Sequence, residues 1–221
     1  MSTPQSPSQS VADPFSEVLR QQTQDAHRAA ERAPFVGALM SGRLGGEAYV
    51  DFLGQLYRIY IALEESAELV ADDPVVGDFL DARLHRVAAI ESDMEALVDH
   101  RWRQVMPPAT DATAAYVERI WTAPRDWPSA FVAHHYIRYM GDLSGGQIIA
   151  RMLTQHYGFG EDELSMYRFG DIKGPVFKQT YRAKLDHAPW SEDERRRLID
   201  ESTLAYEFNT CIFDDLGARY L

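Results

Sequence analysis

The residues with the clearest chemical content lie between His134 and Arg151. Both flanks of this stretch repeat apolar residues at helical spacing, yet Gly141, Gly145 and Gly146 sit between them. Each glycine costs about 1 kcal/mol relative to alanine inside a helix. Sequences break such local rules where packing or function requires it. Gly141 and Gly145 are one turn apart, so together they strip one helix face of side chains. Two uses of a bare face are open: a tight crossing with another helix, or a close approach of backbone to a flat ligand, with the helix free to bend there. Asp142 stands inside the glycine cluster and Arg138 one turn before it. A buried charge needs a partner or a purpose, which favours the second use.

Three further groups have usable spacing. His27 and Glu31 are four apart and share a helix face. A carboxylate that accepts the imidazole Nδ1 proton leaves Nε2 free for a metal, although the same spacing also makes an ordinary solvated pair. Lys178 and Arg182 are one turn apart and could grip a dianionic group, or could simply be two solvated bases. Asn209 and Phe213 share a face of the last helix, with Asn209 a lone polar residue near its seam. His85, His100, His156 and His187 fall among polar residues and read as surface groups. The phosphate-loop, Gly-x-Gly-x-x-Gly, His-Glu-x-x-His and Gly-x-Ser-x-Gly patterns are all absent, as is the Glu-x-x-His pair of di-iron bundles. Cys211 has no neighbouring histidine to activate it.

The elements that must position these groups are helices. Asp13 and Pro14 form a start signal for a helix running past Ala26 to Ala30, stopped by Pro34. A short segment follows at 35–40. Apolar residues stepping by three and four predict helices over 47–71, over about 84–98, from a cap at Asp111 to a break bounded by Pro124 and Pro128, and from a cap at Ser129 to about Tyr157. Residues 158–174 read as irregular. A helix is expected around 176–185, and Ser191 with Glu194 forms a capping box for a last helix to about Leu216. Alternating strands and hairpin signals are missing. The reading is all-α, seven to nine helices, a single domain over 13–221, with a disordered Ser/Gln/Pro-rich lead-in at 1–12.

Composition narrows the partners. The 221 residues are 45% hydrophobic and 25% charged, ordinary values for a globular protein. Acids outnumber bases 34 to 22, for a formal charge of −12. That balance opposes general nucleic-acid binding and docking on anionic lipid. One cysteine permits no internal disulfide, so a reducing cytoplasm is expected. No apolar run approaches the roughly 18 residues of a membrane span.

Taken together, these segments resemble the heme oxygenase family, specifically its soluble bacterial members. The resemblance spans about residues 14–217. Its most specific piece is Gly141-Asp142-Leu143-Ser144-Gly145-Gly146-Gln147; His27 to Glu31, the run from Tyr57 to Glu65, and Phe208-Asn209 follow the family's order. The resemblance implies a multi-helix bundle with a kinked, glycine-rich distal helix. It implies heme b as both cofactor and substrate, held with His27 as axial iron ligand and Glu31 as its partner. Gly141 and Gly145 would press backbone on the distal face, and Asp142 would hold a distal water within a network built with Tyr60, Arg138 and Asn209. Arg20, Tyr136, Lys178 and Arg182 would meet the propionates, and Ser144, Phe208 and Phe213 would lie at the heme. The implied reaction opens heme at a meso carbon, the α carbon, to biliverdin, carbon monoxide and ferrous iron, with dioxygen and an external donor such as ferredoxin or a flavoprotein reductase. A monomer is expected.

This sequence departs from some members at the propionate end: Arg20 stands where lysine is common, and Gln24 where animal members carry a second lysine. Two other readings compete with the enzyme. One is a non-catalytic heme carrier or sensor using the same His27 site; the other is a related helical bundle, such as the thiaminase-like ones, holding a different small ligand.

Overall fold

The computed structural model describes residues 13–221, and the expected lead-in at 1–12 lies outside the described residues. Described residues contain no strand. The helices are α1 (Phe15–Gln22), α2 (Gln24–Glu31), α3 (Pro34–Met40), α4 (Gly46–Val70), α5 (Val87–Leu97), α6 (Trp102–Val105), α7 (Asp111–Asp126), α8 (Ala130–His135), α9 (Gly141–Tyr157), α10 (Gly174–His187) and α11 (Glu192–Tyr220). A π-helical turn, Tyr136–Met140, joins α8 to α9 without a break, so 130–157 is one long rod.

The two longest helices carry the core. Along α4 the buried residues Tyr49, Leu53, Leu56, Ile59, Tyr60 and Leu63 hold the helical spacing read from the sequence, and they pack against α5, α7 and α8. α11 buries Leu198, Ala205, Asn209, Ile212 and Leu216 against α2, α3, α7 and α8. The rod is thereby held between α4 and α11, and one of its faces is left for a cleft.

Several helix ends differ from expectation, each for a local reason. The single first helix is interrupted at Thr23, whose hydroxyl bonds the Leu19 carbonyl at 2.8 Å beside its own amide at 3.1 Å, a back-bond of the kind that bends helices. Pro14 is the residue before α1 and makes no side-chain cap, as Asp13 does not either. Thr110, not Asp111, caps α7, its hydroxyl accepting from the Thr113 amide. Pro124 does not stop α7. Its missing N–H frees the Ile120 carbonyl, and Ser66 of α4 donates to that oxygen at 3.3 Å. Ser129 does not cap the rod; its hydroxyl donates to Glu194 at 2.7 Å. Only half of the capping box at α11 forms, with the Glu194 amide donating to Ser191 Oγ. The rod ends as α9 does, at Gly158, where φ of +74° lets its amide close on the Thr154 carbonyl.

Candidate active site

A cleft of about 560 Å³ opens between α1–α3, the rod and α11, with α10 at one end. Its size is that of a small-molecule or cofactor site. Arg20, His27, Glu31, Tyr136, Arg138, Gly141, Ser144, Gly145, Arg182, Asn209 and Phe213 all line it. These residues come from five helices spread over nearly the whole chain, and the fold brings them to one wall-and-floor arrangement.

The glycines answer the question left open by the sequence. A Cβ built on Gly141 or Gly145 meets nothing within 4 Å, so both face open space in the cleft. Neither glycine serves a helix crossing. Gly146 does: its Cβ would sit 3.1 Å from the ring of Tyr167. The π turn lies immediately before the bare pair, and such an insertion re-aims the helix that follows it.

Behind that bare face is a polar network. Arg138 donates to Asn209 Oδ1 at 2.8 Å and to the Tyr60 hydroxyl at 3.4 Å, and lies 3.8 Å from Asp142. Tyr60 in turn donates to Asp142 Oδ2. Asn209 is oriented by its own amide, which donates to the Ala205 carbonyl at 2.6 Å. The Arg138 and Asp142 side chains are each only 11% exposed. Burial pushes the Asp142 carboxyl above its ordinary range, with Arg138 and Tyr60 pulling partly the other way. Burial works against charge on Arg138, but Tyr60 and Asp142 beside it hold its pKa above the usual value. Tyr60 is pushed well up by burial. The group is a cation and a carboxyl that share one phenol, buried together behind the glycines. Asp142 and Tyr60 do not line the cleft themselves; they meet it through Arg138, Asn209 and Gly141.

His27 projects into the cleft from α2, its side chain 45% exposed. The nitrogen beside Glu31 is Nε2, at 3.5 Å, the reverse of the expected Nδ1 pairing. One helical turn carries the Glu31 carboxylate up to the outer edge of the ring rather than the inner one. A pair this exposed and this long is worth little. The firmer contact on His27 is the edge of Tyr206, with ring centroids 5.3 Å apart.

The cationic end is only partly as expected. Arg20 lines the cleft but is engaged by Glu17, with Nε at 3.0 Å and Nη2 at 2.5 Å, and Arg20 and Gln21 hold the Glu17 carboxyl down at about 2. Lys178 is not on the cleft wall; it donates to Ser144 Oγ at 2.9 Å, and burial followed by the nearby Arg182 charge lowers its pKa. Phe208 stacks on Tyr116, centroids 5.0 Å apart, away from the lining.

Sequence reasoning passed over Tyr206, Val36, Ile148 and Ile149, which line the cleft. Tyr206 stands three residues before Asn209, so helical spacing was a usable signal. It also passed over His134 and His135, both buried inside the apolar run that opens the rod. His134 Nε2 lies 3.0 Å from Glu201, and His135 Nδ1 lies 2.9 Å from the Tyr181 hydroxyl. His85, His100, His156 and His187 are exposed, as read.

Comparison with known proteins decides the family. The model of the heme oxygenase family matches residues 13–215. The chain belongs to the heme oxygenase family. A heme oxygenase 1 of Bos taurus is 34% identical over 98% of this chain and 75% of its own, and a heme oxygenase 1 of Synechocystis is 32% identical over 92% and 85%. Among solved structures, the Synechocystis heme oxygenase-1 in complex with heme superposes with a TM-score of 0.89 at 30% identity, covering 94% of each chain. The heme oxygenase of Leptospira interrogans gives 0.84 at 30% identity, over 91% of this chain and 98% of that one. The all-helical heme oxygenase fold is thus shared over nearly the full described length, and no described helix is long and apolar enough to cross a membrane.

Proposed function

We propose that this heme oxygenase opens heme at a meso carbon, the α carbon, with dioxygen and electrons from an external donor, releasing biliverdin, carbon monoxide and ferrous iron. The observation that carries the reading is the pair Gly141 and Gly145, bare toward the same cleft that His27 enters. A flat ring fits against a face bared this way, and a Cβ at either glycine would project into the space the ring would take. Bound heme would supply both the iron that takes up dioxygen and the ring carbon that is oxidised.

The chain's own residues then divide the work. His27 would ligate the iron as a neutral imidazole, its ring steadied by the edge of Tyr206, with Glu31 within reach of the same ring. Gly141 and Gly145 would bring backbone down on the other face and leave space on one side only, which directs attack to one carbon. Asp142 would hold a water and exchange a proton with it, its carboxyl raised above the usual range by burial. Tyr60, Arg138 and Asn209 would fix that carboxyl and keep bulk water out. Tyr136, Arg182 and Arg20 would meet the propionates at the cationic end, with Lys178 reached through Ser144; Phe213 would pack at the edge. A ferredoxin or flavoprotein reductase is the donor class, and the proposed state is a cytoplasmic monomer.

A carrier needs none of the buried network, whose charges cost desolvation that storage would not recover. The experiment is heme titration of the purified chain, then addition of reductant and oxygen with product chromatography. Loss of the Soret band with a bilin product supports the enzyme. A Soret band that persists under these conditions makes the chain a carrier, and failure to bind heme at all returns the thiaminase-like reading.

A further inference from the structure

The third glycine of the cluster has a different task from the other two. Gly146 is turned about 100° from Gly145 around the helix and is buried. Against it lies the ring of Tyr167, from the short turn Ser165–Tyr167 between α9 and α10. A methyl group at Gly146 would meet Tyr167 Cδ1 at 3.1 Å, tighter than an ordinary contact.

What makes this contact more than packing is how Tyr167 is held. The backbone around it is gripped from two sides by α5 and the residue before it. Asp93, fully buried, accepts from the amides of Ser165 at 2.6 Å and Met166 at 2.8 Å. Arg86, also buried, donates to the carbonyls of Met166 at 3.2 Å and Arg168 at 2.7 Å and lies 3.9 Å over the Phe169 ring. α9 reaches back as well, Gln147 donating to the Tyr167 carbonyl at 2.7 Å. Tyr167 itself is buried; its hydroxyl points to the equally buried Tyr49 hydroxyl, and its ring is what meets Gly146.

We propose that Tyr167 is a backstop that sets how far α9 stands from the heme cleft, and that Arg86, Asp93 and Gln147 are positioning residues acting through it. The proposal rests on the heme oxygenase reading of the cleft. Asp142 is one turn before Gly146 on the same face. The ring that seats Gly146 therefore also fixes the depth at which Asp142 meets Tyr60. A displaced α9 would carry Gly141, Gly145 and Asp142 with it.

The test is a size-exchange pair in the full chain. Gly146→Ala alone should lower the turnover rate about ten- to a hundredfold while heme affinity changes much less, as expected for a small displacement of reacting groups. It should also shift the pH titration of the ferric heme Soret band, because Asp142 has moved. Independently of heme, amide exchange in the apo chain should quicken at 164–169 and at 142–147. Adding Tyr167→Leu to Gly146→Ala makes room for the new methyl and should recover rate, titration and exchange together. Tyr167→Phe keeps the ring edge and should behave as the parent.

Parental rates and exchange in Gly146→Ala overturn the proposal, as does a double variant that recovers nothing. A loss in Tyr167→Phe moves the role to the hydroxyl and overturns it equally. If Gly146→Ala does not fold, Tyr167→Leu alone carries the test: faster exchange at 142–147 with a shifted Soret titration supports the backstop, and parental values of both reject it. Should the parent neither bind nor turn over heme, the functional reading falls, while apo exchange still decides whether Tyr167 seats the helix.

Discussion

Asp142 is the residue whose environment and sequence context agree most closely. Its place within the glycines and one turn from Arg138 is fixed by helix geometry, so both were legible in the sequence. Their partners were not legible from spacing. Tyr60 and Asn209 lie some 70 to 80 residues away along the chain and are brought in by packing, which periodicity cannot register; the family resemblance supplied them. Replacing Asp142 with alanine should leave heme bound but cut bilin formation by about 10² to 10⁴, the usual worth of a placed acid–base group. Chromatography of the products checks it, and parental bilin yield would remove the residue from the mechanism.

Two other buried residues give separable acid responses. Burial pushes the His135 imidazole down to about 3 from 6.5, so it is neutral in the fold but takes a proton when unfolded. Stability tied to it is complete above pH 6.5 and is lost as pH falls from there toward 3. Burial raises the Glu201 carboxyl, but hydrogen bonds from Arg119 and His134 outweigh it and bring it down from 4.5 to about 2. Its stabilisation is complete above pH 4.5 and is lost as pH falls through the window to about 2. Melting curves should therefore show His135→Gln flattening the loss between pH 6.5 and 4.5. Glu201→Gln should be less stable by about 3 kcal/mol at pH 7, a deficit that shrinks only below pH 4.5. Curves that run parallel to the parent at every pH would contradict both assignments.

At the scale of elements, the rod from Ala130 to Tyr157 shows what sequence patterns hide. Its helical periodicity and its glycines were readable, and so was its place among the functional residues. The division of labour among the glycines was not, because Gly141, Gly145 and Gly146 look identical until the neighbours are in place. Nor was the π turn readable, since an inserted residue leaves no periodic mark in five positions. The consequence for substitutions is opposite in sign at the two kinds of site. At Gly141 and Gly145 a methyl meets empty space, so alanine should stabilise the apo chain by roughly 1 kcal/mol through helix propensity while weakening heme binding. Calorimetric melting with and without heme checks this; a lower apo melting temperature would show that these glycines are packed after all. Helix ends were the least legible parts. Ser129 and Pro124 behave as distant partners dictate, through Glu194 and the Ser66 bond to Ile120, while Thr110 takes the cap locally from the Thr113 amide.

For the whole molecule, the all-helical class and the order of helices were legible because long amphipathic runs leave little choice. The closure of the bundle was not. Asp51, fully buried in the second turn of α4, accepts from Gln55, from Arg219 at 2.8 Å and from Tyr220 at 3.0 Å. The end of α11 is thus latched to the start of α4. Removing the residues after Gly217 leaves a buried carboxylate without its cation and should cost about 3 to 5 kcal/mol. Denaturant unfolding of the truncated chain measures it, and an unchanged midpoint would mean that the latch contributes nothing.

The grip of Glu17 on Arg20 also bears on how this acidic molecule admits a dianion. The guanidinium that an arriving propionate would seek is already occupied by a carboxylate of the chain's own. Entry at that corner is then a swap of one acid for another, not the neutralisation of a waiting charge. Capture should respond less to ionic strength than a count of nearby bases suggests, and the displaced glutamate becomes a tethered competitor that helps to expel a product once its own hold loosens.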